Sequence, residues 1–484
     1  MRRTWWAVFA VMLMGCPPGG SGGTGGGSAG GLTLVGGGST GGGTAGGSIA
    51  GGTAGASVGG GMTAGGGTTA GGTSGGGTAG GGATAPVPFR IDQLGFDSPW
   101  AVITADGVKH VLFKAAAPQP AVFYAHCASN CASGTSWAIS TVRAAPSVVD
   151  DVKLAAGPDG RLHAIFRLLD ASSASAPQPL IYATCAPGCS SSSTWTQTDI
   201  TTVVADNFAL RGSLVVDTAG RISLLTSSRS STADAWLVSC GSNCSASSNW
   251  QAGLLRGTDG SETLATQGTT LHMALLRPGG GFVYRRCASG CTTGANWQES
   301  TFALIGSARE VSMTVSPDGV IALAFNQGMV QGAGAQKLAV WTCDSAASDC
   351  LSGATWSGVR FATDDDGLDA LSLVSATGGL VMLHATVTDM QLSFCTTNCG
   401  DGAGWQTQVI DTTAQLAAEI DPRTVQGCTM GPAVLASWYA GAATAALGPQ
   451  GEGLFVWSTF IRRTCPGSTS PTRLPGVGRV LVVD

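Results

Sequence analysis

From residue 86 onward the chain alternates short apolar runs with Gly- and Asp-containing turns, a pattern that predicts strands and no long helices. The runs come in sets. Residues 100–104 form an apolar run, Ala105-Asp106-Gly107 reads as a turn, and residues 109–114 and 121–126 are two further runs. The third run ends in Cys127, followed by a short polar turn to Cys131 and by Trp137, which opens a fourth run over 137–142. The same Cys-turn-Cys-Trp sequence returns at Cys185, Cys189 and Trp195, at Cys240, Cys244 and Trp250, and at Cys287, Cys291 and Trp297. It returns again at Cys343, Cys350 and Trp356 and at Cys395, Cys399 and Trp405, so that six copies stand 47 to 58 residues apart.

Later units repeat the plan. Residues 152–156, Pro158-Asp159-Gly160 and 161–168 match the first two strands, as do 214–217, Thr218-Ala219-Gly220 and 221–226, and again 311–315, Ser316-Pro317-Asp318-Gly319 and 320–325. Self-similarity at such a period marks a closed or stacked repeat architecture. Four strands per unit is the composition of a β-propeller blade, and the fold expected is all-β.

The last unit departs from the pattern. Residues 417–428, 433–439 and 454–464 would supply strands one to three of a seventh blade, but no Cys-turn-Trp hairpin follows Cys465. Its fourth strand would be residues 89–94 or residues 479–483. The first choice joins the two ends of the domain and removes the edges that an open sheet exposes. Six blades with a C-terminal extension is the alternative.

Composition divides the chain further. Nearly half of the 75 glycines lie between Pro17 and Ala85, among Ser, Thr and Ala and too few apolar residues to bury a core. Residues 17–85 are expected to be a disordered tether, with an r.m.s. span of about 45 Å and a full reach of roughly 230 Å. The repeat domain then occupies 86–484. With a net charge of -5 and no Lys/Arg run beyond the N-terminus, the chain lacks the basic footprint of a nucleic-acid binder.

Residues 1–16 read as an export signal: Arg2-Arg3, an apolar run too short to span a bilayer, then Leu13-Met14-Gly15-Cys16. This ending resembles the lipobox of bacterial lipoproteins, which implies that Cys16 is lipidated and tethers the protein to a membrane. Pro17 stands where those lipoproteins carry Asp for inner-membrane retention, so the resemblance implies the outer membrane or cell surface. Cysteine arithmetic points to export independently. Of 15 cysteines, Cys16 leaves fourteen: twelve in the six local pairs, and Cys428 with Cys465 left to each other. In an oxidising compartment these are expected to be disulfides. Zinc is the weaker reading, because one pair per blade has no second pair beside it to complete four ligands.

The Cys-turn-Trp hairpins resemble the Asp-box hairpins of sialidase-like propellers, through Ser133 to Trp137, Gly353 to Trp356 and Gly402 to Trp405. Most copies lack the Asp, and a disulfide stands where its bonds would lock the turn. Phe89-Arg90-Ile91 is similar to a motif that supplies a substrate-carboxylate arginine in sialidases, although Asp92 stands where Pro is expected, and Arg211 and Arg309 stand at later blade entrances. The resemblance thus implies a glycoside hydrolase as one function, with Arg90, Arg211 and Arg309 as its site. The chain has four tyrosines, none placed with a Glu partner as nucleophile. The other reading, which the repeat architecture favours, is a non-enzymatic binding module for protein or glycan, with no cofactor and no metal. Its ligand would meet the face holding the strand 2–3 loops and the blade-to-blade connectors, where length varies. Those connectors hold Asp97, Asp150, Asp151, Asp206, Asp259, Glu262, Glu310, Asp364, Asp365, Asp366, Asp369 and Glu419, an acidic mouth or simply a solvated rim. His110, His163 and His272 share one position of the second strand. On different blades they are expected to pack and bond neighbouring backbone rather than meet at a metal. The repeat Trp residues are expected to pack between blades.

Overall fold

The computed structural model describes residues 87–91, 96–115, 120–145, 148–169, 178–191, 194–204, 208–210, 212–228, 234–256, 262–277, 281–303, 308–327, 338–361, 370–376, 379–386, 388–412, 414–415, 434–464, 472–473 and 477–483. Cys16, the 17–85 segment, Arg211, the predicted strand 417–428, Cys428 and Cys465 lie outside the described residues.

Seven antiparallel sheets follow one another along the chain, each with its first strand innermost. Blade 1 is Phe96–Ile103, Lys109–Ala115, Ala121–Cys127 and Ala138–Ala144; blade 2 is Val148–Ala156, Leu162–Leu169, Leu180–Cys185 and Trp195–Asp199. Blade 3 comprises Leu214–Val216, Ile222–Ser228, Asp234–Cys240 and Trp250–Arg256, with Phe208–Ala209 added beside its second strand. Blade 4 is Glu262–Gln267, Thr270–Leu276, Phe282–Cys287 and Gln298–Phe302, and blade 5 is Ala308–Val315, Val320–Gln327, Leu338–Asp344 and Ser357–Phe361. Blade 6 is Leu371–Ala376, Gly379–Ala385, Asp389–Cys395 and Trp405–Thr412. Blade 7 opens with Val434–Leu447 and Gly453–Thr464.

Each hairpin between strands three and four is built from the same parts. The six local pairs expected from the sequence are disulfide-bonded. Cys127 is joined to Cys131, Cys185 to Cys189, and Cys240 to Cys244. Cys287 is joined to Cys291, Cys343 to Cys350, and Cys395 to Cys399, and in all six the Cα atoms are 5.6 to 5.8 Å apart. In the five-residue versions the residue before the second Cys has positive φ: Asn130 (56°), Gly188 (81°), Asn243 (49°), Gly290 (62°) and Asn398 (53°). Asn and Gly are the residues that tolerate this left-handed region, which is why each pair reads Asn-Cys or Gly-Cys. The blade 5 loop, from Cys343 to Cys350, is three residues longer and closes on Asp349 instead. A 3-10 turn then presents the Trp, whose Nε1–H donates to the carbonyl of the second Cys at 2.7 to 3.1 Å in five hairpins: Cys131, Cys244, Cys291, Cys350 and Cys399. Trp195 makes no such bond. In blade 6 Asp401 also caps the turn, accepting from the Ala403 N–H at 3.2 Å, so one copy keeps the Asp-box bond alongside its disulfide.

The clipped hairpins, carried by blades 1 to 6, lean on the outer strand of the blade before. A Cβ at Gly253 would lie 1.7 Å from the Thr292 carbonyl oxygen, and one at Gly400 would lie 2.1 Å from Ser357 Oγ. Gly134 of blade 1 meets the Arg90 carbonyl oxygen in the same way, at 2.3 Å. Residues 89–90 therefore stand where an outer strand of blade 7 belongs.

Ring closure uses both chain ends. Val477–Val483 pairs along Gly453–Thr464, with Thr472–Arg473 continuing the same edge, and Phe89 bridges Val480 through two 2.9 Å backbone bonds. This corrects the strand count expected for blade 7. Val434–Leu447 is the first strand and Gly453–Thr464 the second, the tail is the third, and the N-terminal segment lies outside the tail rather than beside Gly453–Thr464. The misreading came from the Ala-rich run 440–447, whose weak β propensity hid the second half of a 14-residue strand. Because Phe89 runs antiparallel to the tail, the chain comes up to it from the face that carries the disulfide hairpins. Arg479, on the tail, is buried and holds Asp411 of blade 6 through Nε–Oδ2 and Nη2–Oδ1 contacts of 3.1 and 3.3 Å.

Replacing Arg479 by Met strands a buried carboxylate and should cost about 3–5 kcal/mol; the Arg479→Met/Asp411→Asn pair should recover most of it, as read from urea midpoints. Deleting residues 87–91 should lower the melting temperature of the whole ring, whereas deleting 17–85 should leave it unchanged.

Candidate functional site: the central channel and its mouth

The seven inner strands surround a channel of about 770 Å³, lined from Ser98–Ala101 on blade 1 round to Ala442–Ala445 on blade 7. These strands belong to separate sheets, so their inward edges have no backbone partner across the channel. Hydroxyls supply it. Thr444 Oγ1 accepts from the Ala101 N–H (3.4 Å), Ser372 Oγ from the Ala445 N–H (3.0 Å) and Ser312 Oγ from the Leu373 N–H (2.9 Å). Thr314–Ser375 and Ser213–Thr263 hydroxyl pairs add links of 2.8 and 3.1 Å between neighbouring blades. The channel wall is thus a girdle of small hydroxyl residues, three of which accept from backbone N–H groups that would otherwise be buried unsatisfied.

The inner strands all run toward the disulfide face, so their N-terminal residues mark the opposite mouth. There the charges concentrate. Asp151, Lys153, Glu262 and Glu310 line the channel with the indole of Trp100. Lys153 Nζ lies 3.0 Å from Asp151 Oδ2 and 4.3 Å above the Trp100 ring, a cation–π contact. Just outside, Lys114 pairs with Asp97 at 3.4 Å and bonds the Asp150 carbonyl, while buried Arg167 donates to Asp150 through Nε at 3.0 Å. The backbone is irregular at this level, with bulges between Asp97 and Trp100 and between Val149 and Asp151 that turn these carboxylates toward their partners. At blades 1 and 2 the rim is thus charge-paired rather than simply acidic. Asp206, Asp259, Asp364, Asp365, Asp366, Asp369 and Glu419 lie outside the described residues.

The histidines are placed elsewhere. His110, His163 and His272 each contact, through Nδ1, the hydroxyl of a Tyr on the adjoining strand: Tyr124 at 2.7 Å, Tyr182 at 2.8 Å and Tyr284 at 2.7 Å. The expected backbone bond is replaced by a phenol, because the residue three before the first Cys is Tyr in these three blades. Each Tyr ring meets the repeat Trp of the next blade edge-on, at centroid distances of 5.4, 5.0 and 5.5 Å. Tyr124 also donates to the Cys189 carbonyl at 3.0 Å, tying blade 1 to the hairpin of blade 2. The Trp residues therefore lie in the blade interfaces, five of them under 9% exposed. Burial drives the pKa of His110, His163 and His272 down to about 4 and raises those of Tyr124, Tyr182 and Tyr284. His384, for which the sequence suggested nothing, is also buried, contacts Ser393 Oγ at 3.0 Å, and is likewise lowered to about 4.

Of the three arginines considered for a substrate carboxylate, Arg90 stands on the outer edge of blade 7, against blade 1's hairpin, and is not among the channel residues. Arg211 is outside the described residues, and Arg309 lies in the inner strand Ala308–Val315 of blade 5. Sequence reasoning missed Lys153 and Trp100, which the inner-strand register brings together from two blades.

No protein-family model and no curated protein matches the chain. Among solved structures, it is similar to a Hadza microbial sialidase (13% identity, 62% of this chain and 66% of that one, TM-score 0.42). It is also similar to Trypanosoma rangeli sialidase in complex with the inhibitor DANA (10% identity, 80% and 54%, TM-score 0.42). An Aleuria aurantia lectin mutant in complex with Fucalpha1-6GlcNAc is comparable (11% identity, 67% and 98%, TM-score 0.42). The chain spans less than two thirds of the length of either sialidase.

Four histidines lowered to about 4 give the ring a pH dependence of defined sign. Between about pH 6.5 and 4 the unfolded chain binds protons that the folded chain does not, so stability is full above 6.5 and lost as pH falls through this window. Asp411, raised by burial against the pull of Arg479, opposes this as a single group. Thermal melts should drop steadily below pH 6.5, and His163→Gln should flatten the slope.

Proposed function

We propose that the chain is a lipid-anchored propeller displayed at the outer membrane or cell surface, acting as a non-enzymatic binding module for a protein or glycan. One observation carries this reading: the two faces of the ring are built differently. One is fixed by six disulfide hairpins and short turns, whereas at the other end the strands are joined by stretches of variable length and the mouth is lined by Trp100, Lys153, Asp151, Glu262 and Glu310. A rigid scaffold with variable loops at one end is the usual arrangement of a binding protein. The aromatic face, paired charges and hydroxyl girdle offer a polar ligand stacking and hydrogen bonds.

The hydrolase alternative requires arginines gathered at this mouth, and Arg90, on the outer edge of blade 7, does not support it. Anchoring follows from Cys16 and the reach of residues 17–85.

Glycan arrays and crosslinking pull-downs with the full chain should yield a ligand whose affinity falls about tenfold in Trp100→Ala and in Lys153→Ala. Retained binding in both variants would remove the mouth from consideration. Cys16→Ala should move the protein from the membrane to the soluble fraction with its melting temperature intact; continued membrane fractionation would overturn the anchor.

A further inference from the structure

A second cleft, of about 230 Å³, lies away from the channel, on the disulfide side of the interface between blades 3 and 4. Its walls are Leu237 and Ser239 of blade 3 and Leu271 and Cys291 of blade 4, and its rim carries Arg221 and Asn249. The repeat shows what this junction lacks, an absence it shares with blades 5 and 6, where Ala322 with Val340 and Val381 with Leu392 fill the two positions. In blades 1, 2 and 4 the residue after the first Cys's cross-strand partner is His110, His163 or His272, and the residue three before that Cys is Tyr124, Tyr182 or Tyr284. In blade 3 the same positions, set by the pairing of Cys240 with Ile222, hold Ser223 and Leu237. Imidazole and phenol are thus both missing from a junction whose backbone keeps the repeat geometry.

The junction has kept the carbonyl that the phenol bonds between blades 1 and 2, where the Trp indole leaves it free; between blades 2 and 3 and between blades 4 and 5 the indole takes that carbonyl, as it does here. Tyr124 donates to the carbonyl of the second Cys of the next hairpin, Cys189. Its counterpart in the blade 3–4 junction is Cys291, which lines the cleft and accepts one bond, from Trp297 Nε1 at 2.7 Å. A carbonyl has two lone pairs. Where His Nδ1 would meet the phenol, blade 3 has the Ser223 and Ser239 hydroxyls, 3.2 Å apart. Arg221 Nε is buried at the edge of the cleft without a hydrogen-bond partner. Gly241, Asn249, Gln251 and Gly290 are exposed, so the cleft is reached from solvent.

We propose that this cleft binds a single hydroxyphenyl ring, a tyrosyl side chain of a partner or a small phenol, in the place that the repeat's own Tyr fills in three other junctions. The ring enters past the exposed rim of Asn249, Gln251 and Gly290 toward the buried floor of Leu237 and Leu271, and its hydroxyl donates to the Cys291 carbonyl.

The full chain carrying 13C-labelled Leu methyls is titrated with p-cresol, with the tripeptide Gly-Tyr-Gly and with D-glucose. Saturable shifts of the Leu237 and Leu271 methyls by p-cresol or the peptide, and not by glucose, are expected; tighter binding of the peptide assigns a protein source, tighter binding of p-cresol a small-molecule one. The double variant Ser223→His/Leu237→Tyr rebuilds the repeat's own pair in the cleft and should weaken p-cresol binding by at least about tenfold, followed at Leu271, with an unchanged or higher melting temperature. Should that variant fail to fold, Ser239→Arg, the residue blade 4 carries at this position as Arg286, provides an independent block. Absence of shifts up to the solubility limit, shifts by glucose instead, or full binding in a folded blocked variant would each overturn the proposal.

Discussion

The ring depends on one contact that recurs wherever a blade carries a clipped hairpin: that hairpin, in blades 1 to 6, lies on the outer strand of the blade before it. Glycines at Gly134, Gly253 and Gly400 mark how close that approach is, since a single Cβ would collide with the neighbour. A hairpin can be laid down this tightly only if its own shape is fixed. The disulfide, the left-handed Asn or Gly and the indole-to-carbonyl bond fix it together in blades 1, 3, 4 and 6, while blade 2 lacks the indole bond and blade 5 the left-handed residue. A five-residue loop closed by a disulfide gains on the order of 2 kcal/mol by chain entropy, and five such clips with the longer one of blade 5 stiffen the face from which neighbouring blades are gripped.

The same contact explains why both chain ends are needed in blade 7. Blade 1's hairpin needs an outer strand to rest on, and blade 7 has no Trp-led strand to offer. Residues 89–90 supply it from the start of the domain, the tail Val477–Val483 supports them, and the Arg479–Asp411 pair ties the tail to blade 6. A buried ion pair is an expensive way to gain stability. Its value here is in register, because the bidentate geometry accepts the tail in one position along an edge of otherwise interchangeable Val residues.

Much of this was legible in the sequence because the repeat's chemistry is sparse and regular. Six Cys-Cys-Trp sets, Gly-bearing turns and apolar runs specify the blades and their hairpins, whereas the choice between six and seven blades stays open because the last unit lacks the Cys-turn-Trp set. Blade 7 was misnumbered because its first strand is an alanine run, and alanine announces no strand. The channel mouth was half legible. Its acids could be counted, but pairing Asp151 with Lys153 and laying Lys153 on Trp100 depends on how two blades are rotated against each other, which no single stretch of sequence encodes. The His–Tyr pairs were legible in principle, since both lie at constant offsets from the Cys, but only the histidine half of that spacing suggested itself.

The direction in which the chain reaches Phe89 has a mechanical consequence. The segment comes up from the disulfide face and runs antiparallel to the tail, so a pull on the residues before Val87 acts along the strand axis. Under such a load the two Phe89–Val480 hydrogen bonds share the force in shear instead of opening one after the other. The strain passes to the tail and, through the guanidinium of Arg479, into blade 6. Load on this end of the domain is thus carried first by the Phe89–Val480 bridge and then by the Arg479–Asp411 pair, before any blade has to open.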